Sequence, residues 1–153
     1  MANIQCGFDN MDKGVADALL LVDRGPTLKV NIGFDAGWNP KIGVDPQSSI
    51  KDIDALVDTG ASESCIDNLL AVELGLPVID RQPISGIAGT HMVNIYLAQF
   101  HVPALPFTMY GQFAGVDLKG GGIPQSALVG RTFLQHFKML YEGKTGSVVL
   151  SSD

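Results

Sequence analysis

The sequence predicts a mostly β domain, on three observations. Glycine and proline recur throughout, 18 and 8 of them in 153 residues, and cut the chain into short segments. The segments between these breaks are rich in Val, Ile, Leu, Phe and Tyr, the composition of strands bounded by turns. Apolar residues make up 46% and charged residues 17%, which suits a packed core and excludes a disordered chain. A single domain over residues 1–153 is the expectation, since a chain of that length buries roughly 70% of its unfolded surface.

Taken in order, Ala18-Leu19-Leu20-Leu21-Val22 and Thr27-Leu28-Lys29-Val30-Asn31-Ile32 flank Asp23-Arg24-Gly25-Pro26, which predicts a hairpin. Residues 36–50 mix Gly, Pro, Asn and Ser without periodicity and read as a surface loop. Ile53–Val57 resumes as a strand. Leu69–Leu74 reads as a short helix, with Asp67 at the N-cap position and Gly75 and Pro77 beyond its end. Met92–Val102 and Leu105–Tyr110 are further strands. Thr132–Phe137 is a second short helix, and 138–141 with 147–150 form a closing hairpin around 142–146.

Several functions are disfavoured. The net charge of −6 has the wrong sign for nucleic-acid binding. Acids concentrate in residues 1–80, which carry 13 against 5 bases, and solubility explains this most simply. No apolar run approaches the roughly 20 residues of a membrane span. Met1–Asp12 lacks a signal pattern, and Cys6 and Cys65 form no framework, so a cytoplasmic protein with reduced thiols is expected. Gly143-Lys144-Thr145 mimics the end of a phosphate-binding loop, but Lys138 stands where that loop needs its first glycine. Gly120-Gly121-Gly122 reads as a plain loop. His91, His101 and His136 are scattered, so neither metal nor other cofactor is expected.

The chemistry lies in Ala55-Leu56-Val57-Asp58-Thr59-Gly60-Ala61-Ser62, where an apolar strand runs directly into an acid, a hydroxyl and small residues. Ending a buried strand on Asp58 is costly unless hydrogen bonds or a partner receive its charge. Two further segments join it: the glycine-rich Ile84-Ser85-Gly86-Ile87-Ala88-Gly89-Thr90, and Ser126-Ala127-Leu128-Val129-Gly130-Arg131 before a helix. In this order and spacing the three resemble the retropepsin-like aspartic proteases. The likeness spans about residues 27–150, leaving 1–26 as an N-terminal extension that includes the first hairpin strand. That extension and the 36–50 loop exceed the compact viral pattern and suggest a non-viral member.

The resemblance implies a closed, mostly antiparallel, barrel-like β fold of one lobe with one or two short helices. It implies Asp58 as the catalytic aspartate, with Thr59 and Gly60 completing the active-site loop. Ala61 and Ser62 would border substrate, as would Ser85, Gly86, Ile87 and Ala88 in a hairpin flap with Ile87 near its tip. Leu128, Val129 and Gly130 would support the catalytic strand from behind. Arg131 matches an arginine that viral members pair with an acid. Ser62 occupies that acid's position here, so Glu63 or Asp67 is the expected partner, partly buried because Leu128-Val129 and Phe133-Leu134 bracket the arginine.

Hydrolysis by this route needs two carboxyl groups on one water, and the sequence has a single Asp-Thr-Gly. The second Asp58 is expected from an identical subunit across a two-fold axis, acting on an extended polypeptide. Two carboxylates about 3 Å apart repel by roughly 5 kcal/mol at an effective dielectric near 20, so the pair retains one proton. The alternative is a catalytically idle module of the same fold that dimerises or binds peptides.

Overall fold

The computed structural model describes residues 2–9, 15–86 and 89–152. In chain order its strands are β1 (Asn3–Gln5), β2 (Thr27–Gly33), β3 (Ile50–Val57), β4 (Cys65–Asp67), β5 (Val78–Gly86), β6 (Gly89–Val102), β7 (Phe107–Val116), β8 (Ala127–Val129), β9 (Lys138–Glu142) and β10 (Ser147–Ser151). Three helices interrupt them: α1 (Val15–Arg24), α2 (Asn68–Glu73) and α3 (Arg131–Leu134). Seven strands form one sheet in the order β2-β3-β8-β4-β7-β6-β5, and β2 also pairs with β6. That extra pairing closes six strands into a ring and leaves β5 outside it, bonded among the described residues only to β6. The expected mostly β, barrel-like class is therefore present. Its ring is antiparallel except for β3 with β8 and β4 with β7, which run parallel.

Period-two burial builds the ring's interior. Leu28, Val30 and Ile32 of β2 are fully buried, as are Ala98, Phe100 and Val102 of β6. Phe100 stacks on Phe113 of β7 with ring centroids 3.9 Å apart. A bulge between Val30 and Ile32 turns the buried Asn31 so that its Oδ1 accepts from the Asp52 backbone N at 3.0 Å. Gln99 is buried and satisfied: its Oε1 accepts from Asp35 N at 2.7 Å and its Nε2 donates to Asp35 O at 2.9 Å. Those two bonds fix the start of the 36–50 loop, which is largely exposed as expected, apart from the buried Pro46, and carries one short 3₁₀ turn at Pro40–Ile42.

The first predicted hairpin is absent. Ala18–Val22 lies inside α1, because Ala16, Ala18, Leu19, Leu20 and Leu21 are strong helix formers without β-branching. Asp23-Arg24-Gly25-Pro26 ends that helix: Gly25 takes φ 75° and its N donates to Leu21 O at 3.0 Å. Nor is the N-terminal segment an appendage. β1 pairs with β10, which also pairs with β9, giving a second sheet in the order β1-β10-β9. Cys6 then links the two sheets, its N donating to Val148 O and its O accepting from Thr27 N, each at 2.7 Å. The closing hairpin forms as predicted. Its turn residue Gly146 has φ 83° and lies so near α1 that a Cβ there would meet the Asp17 backbone at 2.6 Å. The two later helices form where predicted, α2 over Asn68–Glu73 and α3 shortened to Arg131–Leu134. No helix among the described residues is long and apolar enough to cross a membrane.

Burial raises both thiols from their ordinary value of 9.0, Cys6 to about 12 and Cys65 to about 11. Alkylation by iodoacetamide at pH 8 should therefore run at least about two orders of magnitude slower than for an unfolded thiol. The sign also predicts alkaline lability. A folded-state pKa above the unfolded one stabilises below pH 9 and loses that contribution as pH rises toward 11–12. Rapid labelling of the native protein would contradict this burial.

Candidate active site

β3 delivers Asp58 to the edge of the core. Ala55 and Val57 are buried in the sheet, while Asp58, one residue past its end, is half-buried. The strand cannot turn directly back into β4, because β8 lies between them, parallel to β3 and antiparallel to β4. The 58–64 connection therefore opens as a broad loop. Asp58 N donates to Val129 O at 3.0 Å, extending the β3–β8 ladder by one bond. Asp58 Oδ1 accepts from Gly60 N at 2.8 Å, an Asx turn that orients the carboxylate.

The rest of the loop is stitched to the segment after β8. Arg131 N donates to Ala61 O at 2.8 Å, and Thr132 N donates to Ser62 O at 3.0 Å. Gly130 N donates to the buried Ser64 Oγ at 3.1 Å. These bonds require close backbone approach, and that is why residue 130 is glycine. A Cβ there would meet Glu63 O at 2.5 Å and Ala61 O at 2.7 Å, although its φ of −100° suits any residue. Leu128 and Val129 lie alongside β3, with Leu56 opposite Leu128 and Val57 opposite Val129.

Arg131 departs from expectation. It is exposed and makes no ion pair with Glu63 or Asp67; its Nη1 donates instead to Thr59 O at 2.7 Å. Asp67 is turned inward, where its Oδ1 accepts from Leu118 N at 3.1 Å. With Ser62 in place of an acid, a backbone carbonyl takes the guanidinium. Ser64 was not singled out from the sequence. A buried serine immediately before β4 carries no pattern, and only its hydroxyl's position under Gly130 gives it a role.

Thr59, Gly60 and Ser62 are exposed, and Ala61 is half-buried. Ser85 lies on the β5–β6 hairpin, its hydroxyl 3.1 Å from that of Thr90 across the strands. Gly86 and Gly89 form the last pair of that ladder, and Gly89 adopts φ 106°. Ile87 and Ala88 lie outside the described residues. The hairpin and the 58–64 loop share a cavity of about 310 Å³, between Glu63 and Ser64 on one side and Gln82, Pro83 and Ile84 on the other. A larger cavity of about 650 Å³, bordered by Arg81, His91 and Asp117, contains no residue of the 58–64 loop. Among the described residues no three His, Cys, Asp or Glu side chains are grouped to hold a metal ion. Near the loop, Cys65 is pushed up first by burial and then by the charges of Asp58 and Glu63.

The fold is similar to three solved structures. The EIAV protease in complex with an inhibitor shares 19% identity at a TM-score of 0.46, over 72% of this chain and 85% of that one. The simian foamy virus protease shares 14% at 0.44, over 69% and 88%. A retropepsin-like aspartic protease from Rickettsia conorii shares 16% at 0.49, over 81% and 80%. No family model and no curated protein matches the chain.

Two substitutions measure the seam. Gly130→Ala should cost about 1–3 kcal/mol, because backbone carbonyls rather than flexible side chains oppose the added methyl. Arg131→Ala should cost less than about 1 kcal/mol, since the lost hydrogen bond is exposed. Equal melting temperatures for Gly130→Ala and the parent would refute the tight seam.

Proposed function

We propose that the chain is an aspartic endopeptidase that acts as a homodimer, each subunit contributing Asp58 to a pair of carboxyl groups that activates one water. The observation that carries this reading is how Asp58 is held. It stands at the end of a buried strand, on a loop tied to the segment after β8, with Oδ1 fixed by Gly60 N. Among the described residues no cation neutralises it and no donor occupies Oδ2. A carboxylate held so firmly and left unpaired is suited to proton transfer rather than to structural support.

In the two-chain site one ionised carboxylate takes a proton from the shared water as it attacks the scissile carbonyl. The other, protonated, donates to the carbonyl oxygen as negative charge develops there. The proton belongs to the pair, since two charges at that separation cannot both persist. The rigid loop supplies the positioning. Substrate enters as an extended strand beneath the β5–β6 hairpin, with Gly60, Ala61 and Ser62 below it and Ser85 and Gly86 above. The cavity beside Glu63 and Ser64 takes one of its side chains. Thr59 leaves its side chain exposed on the face where a second subunit would meet the loop.

Asp58→Asn preserves shape while removing the ionisable group. Peptide hydrolysis should fall at least about a thousandfold, with melting and oligomeric state unchanged. A statine-type mimic of the tetrahedral intermediate should bind the parent at one molecule per two chains. Comparable turnover in the Asn variant would overturn the role of Asp58, and saturation at one mimic per chain would overturn the shared site. Thr59→Ala should loosen the subunit joint, so that its activity falls on dilution over a range where the parent's holds.

A further inference from the structure

The cavity between the 58–64 loop and the β5–β6 hairpin has a floor and a mouth of different chemistry. Strand pairing sets the floor. Ile95 of β6 lies opposite Ala114 of β7, and each is 5% exposed. Ser64 O accepts from Ala114 N at 3.3 Å, which brings the end of the 58–64 loop against that floor. Pro83 and Ile84 of β5 add an apolar wall. Gln82 and Ile84 stand two residues apart on β5 and share a face, as do Gln112 and Ala114 on β7.

The mouth is polar, and its charge is negative. Of the eight residues around the cavity, Glu63 alone is charged. Its side chain is exposed and forms no ion pair among the described residues. The basic residues that neighbour these segments are directed elsewhere. Arg131 gives its Nη1 to Thr59 O, and Arg81 borders the larger cavity instead. Gln82 Nε2 is committed to Asp80 Oδ2 at 2.9 Å, which leaves its carbonyl oxygen as the group it can offer. The cavity thus presents a carboxylate and an amide oxygen above an apolar floor. A side chain that is apolar along its stem and cationic at its tip satisfies both parts, and Lys and Arg are built in that way. An acidic side chain would set a second negative charge beside Glu63. A wholly apolar one would displace water from the carboxylate and supply no partner.

We infer that Glu63 makes this cavity a selective subsite for a basic side chain, Lys or Arg, of the bound polypeptide. The inference rests on the endopeptidase reading above and names the class of sequence that the enzyme acts on. Asp58 and Glu63 belong to one loop, stitched along its length to the segment after β8. The selected side chain is therefore held in a fixed relation to the scissile bond. Closure of the β5–β6 hairpin over substrate withdraws the pair from water and strengthens it beyond an ordinary surface contact.

The test uses the full chain and peptides identical except at one position, scanned along their length, that carries Lys, Met or Glu. Met offers an unbranched stem without the charge. At the position that enters the cavity, kcat/KM should favour Lys over Met about tenfold, and Lys over Glu by more. Glu63→Gln should bring the Lys-to-Met ratio to within about threefold of one, and Glu63→Lys should rank Glu above Lys. Both variants should melt like the parent, since the side chain is exposed. Binding is read separately, by fluorescence anisotropy of the same peptides on Asp58→Asn with and without Glu63→Gln. Cleavage without a basic preference at any position, or with one that survives Glu63→Gln, overturns the subsite and leaves the endopeptidase reading intact. Glu63-dependent binding of the Lys peptide to Asp58→Asn, beside a parent that cleaves no peptide, upholds the subsite and overturns the proposed activity. Neither binding nor cleavage overturns both.

Discussion

The insertion of β8 between β3 and β4 is the constraint on which the candidate site depends. Three residues, Ala127–Val129, are buried completely or nearly so and bonded on both sides, parallel to one strand and antiparallel to the other. Consecutive strands usually pair with each other through a tight turn. Here they cannot, so their connection spreads into a loop whose carbonyls lack sheet partners. The segment leaving β8 supplies the donors: the backbone N–H groups of Arg131 and Thr132 and the guanidinium of Arg131. Gly130 and Ser64 let the two backbones approach closely enough for this to work. That wedge shapes the loop, and Asp58's own bonds to Val129 O and from Gly60 N fix it within the loop.

The wedge also explains the behaviour of Arg131. A buried ion pair would require both charges to lose solvent, at a cost their attraction does not always recover. A carbonyl acceptor at the exposed rim asks only for one hydrogen bond to a cation that stays hydrated. With Ser62 where an acid is expected, the seam is closed by hydrogen bonds to backbone carbonyls rather than by an ion pair. Glu63 stays free at the mouth of the cavity it borders. Asp67, by contrast, is turned inward and accepts from Leu118 N.

Legibility in the sequence followed the range of the interaction involved. Strands with period-two burial, such as β2 and β6, and the closing hairpin were readable because their signal is local. The motif segments 55–62 and 126–131 stand out because each joins an apolar run to residues that such a run rarely tolerates, and 84–90 because Gly86 and Gly89 punctuate it. β1 was not, since Asn-Ile-Gln has no pattern of its own and becomes a strand only against β10. α1 was misread because a Gly-Pro pair ends a helix as readily as it turns a hairpin. The composition of residues 16–21 held the deciding information, five Ala or Leu with no β-branched residue. The partner of Arg131 and the role of Ser64 depend on contacts between segments far apart in sequence, which no local pattern encodes.

The same topology separates a rigid part of the site from a yielding one. The 58–64 loop is held at both ends by the ring and along its length by the 129–132 segment. The β5–β6 arm is held differently. Residues 89–94 of β6 pair only with β5, and pairing with β7 begins at Ile95. Through Asp80, Arg81, Gln82 and Pro83 the arm is exposed, with little apolar burial to resist opening. Motion of the arm costs ladder bonds to nothing outside itself, whereas displacing Asp58 would disturb the closed ring. The proposed hydrolysis of extended chains needs that division. The group that moves protons must stay fixed within fractions of an ångström, while the cover must lift by several to admit a strand. Wedge and arm meet at the cavity between Ser64 and Ile84, where a substrate side chain would touch the fixed half of the site and the movable half at once.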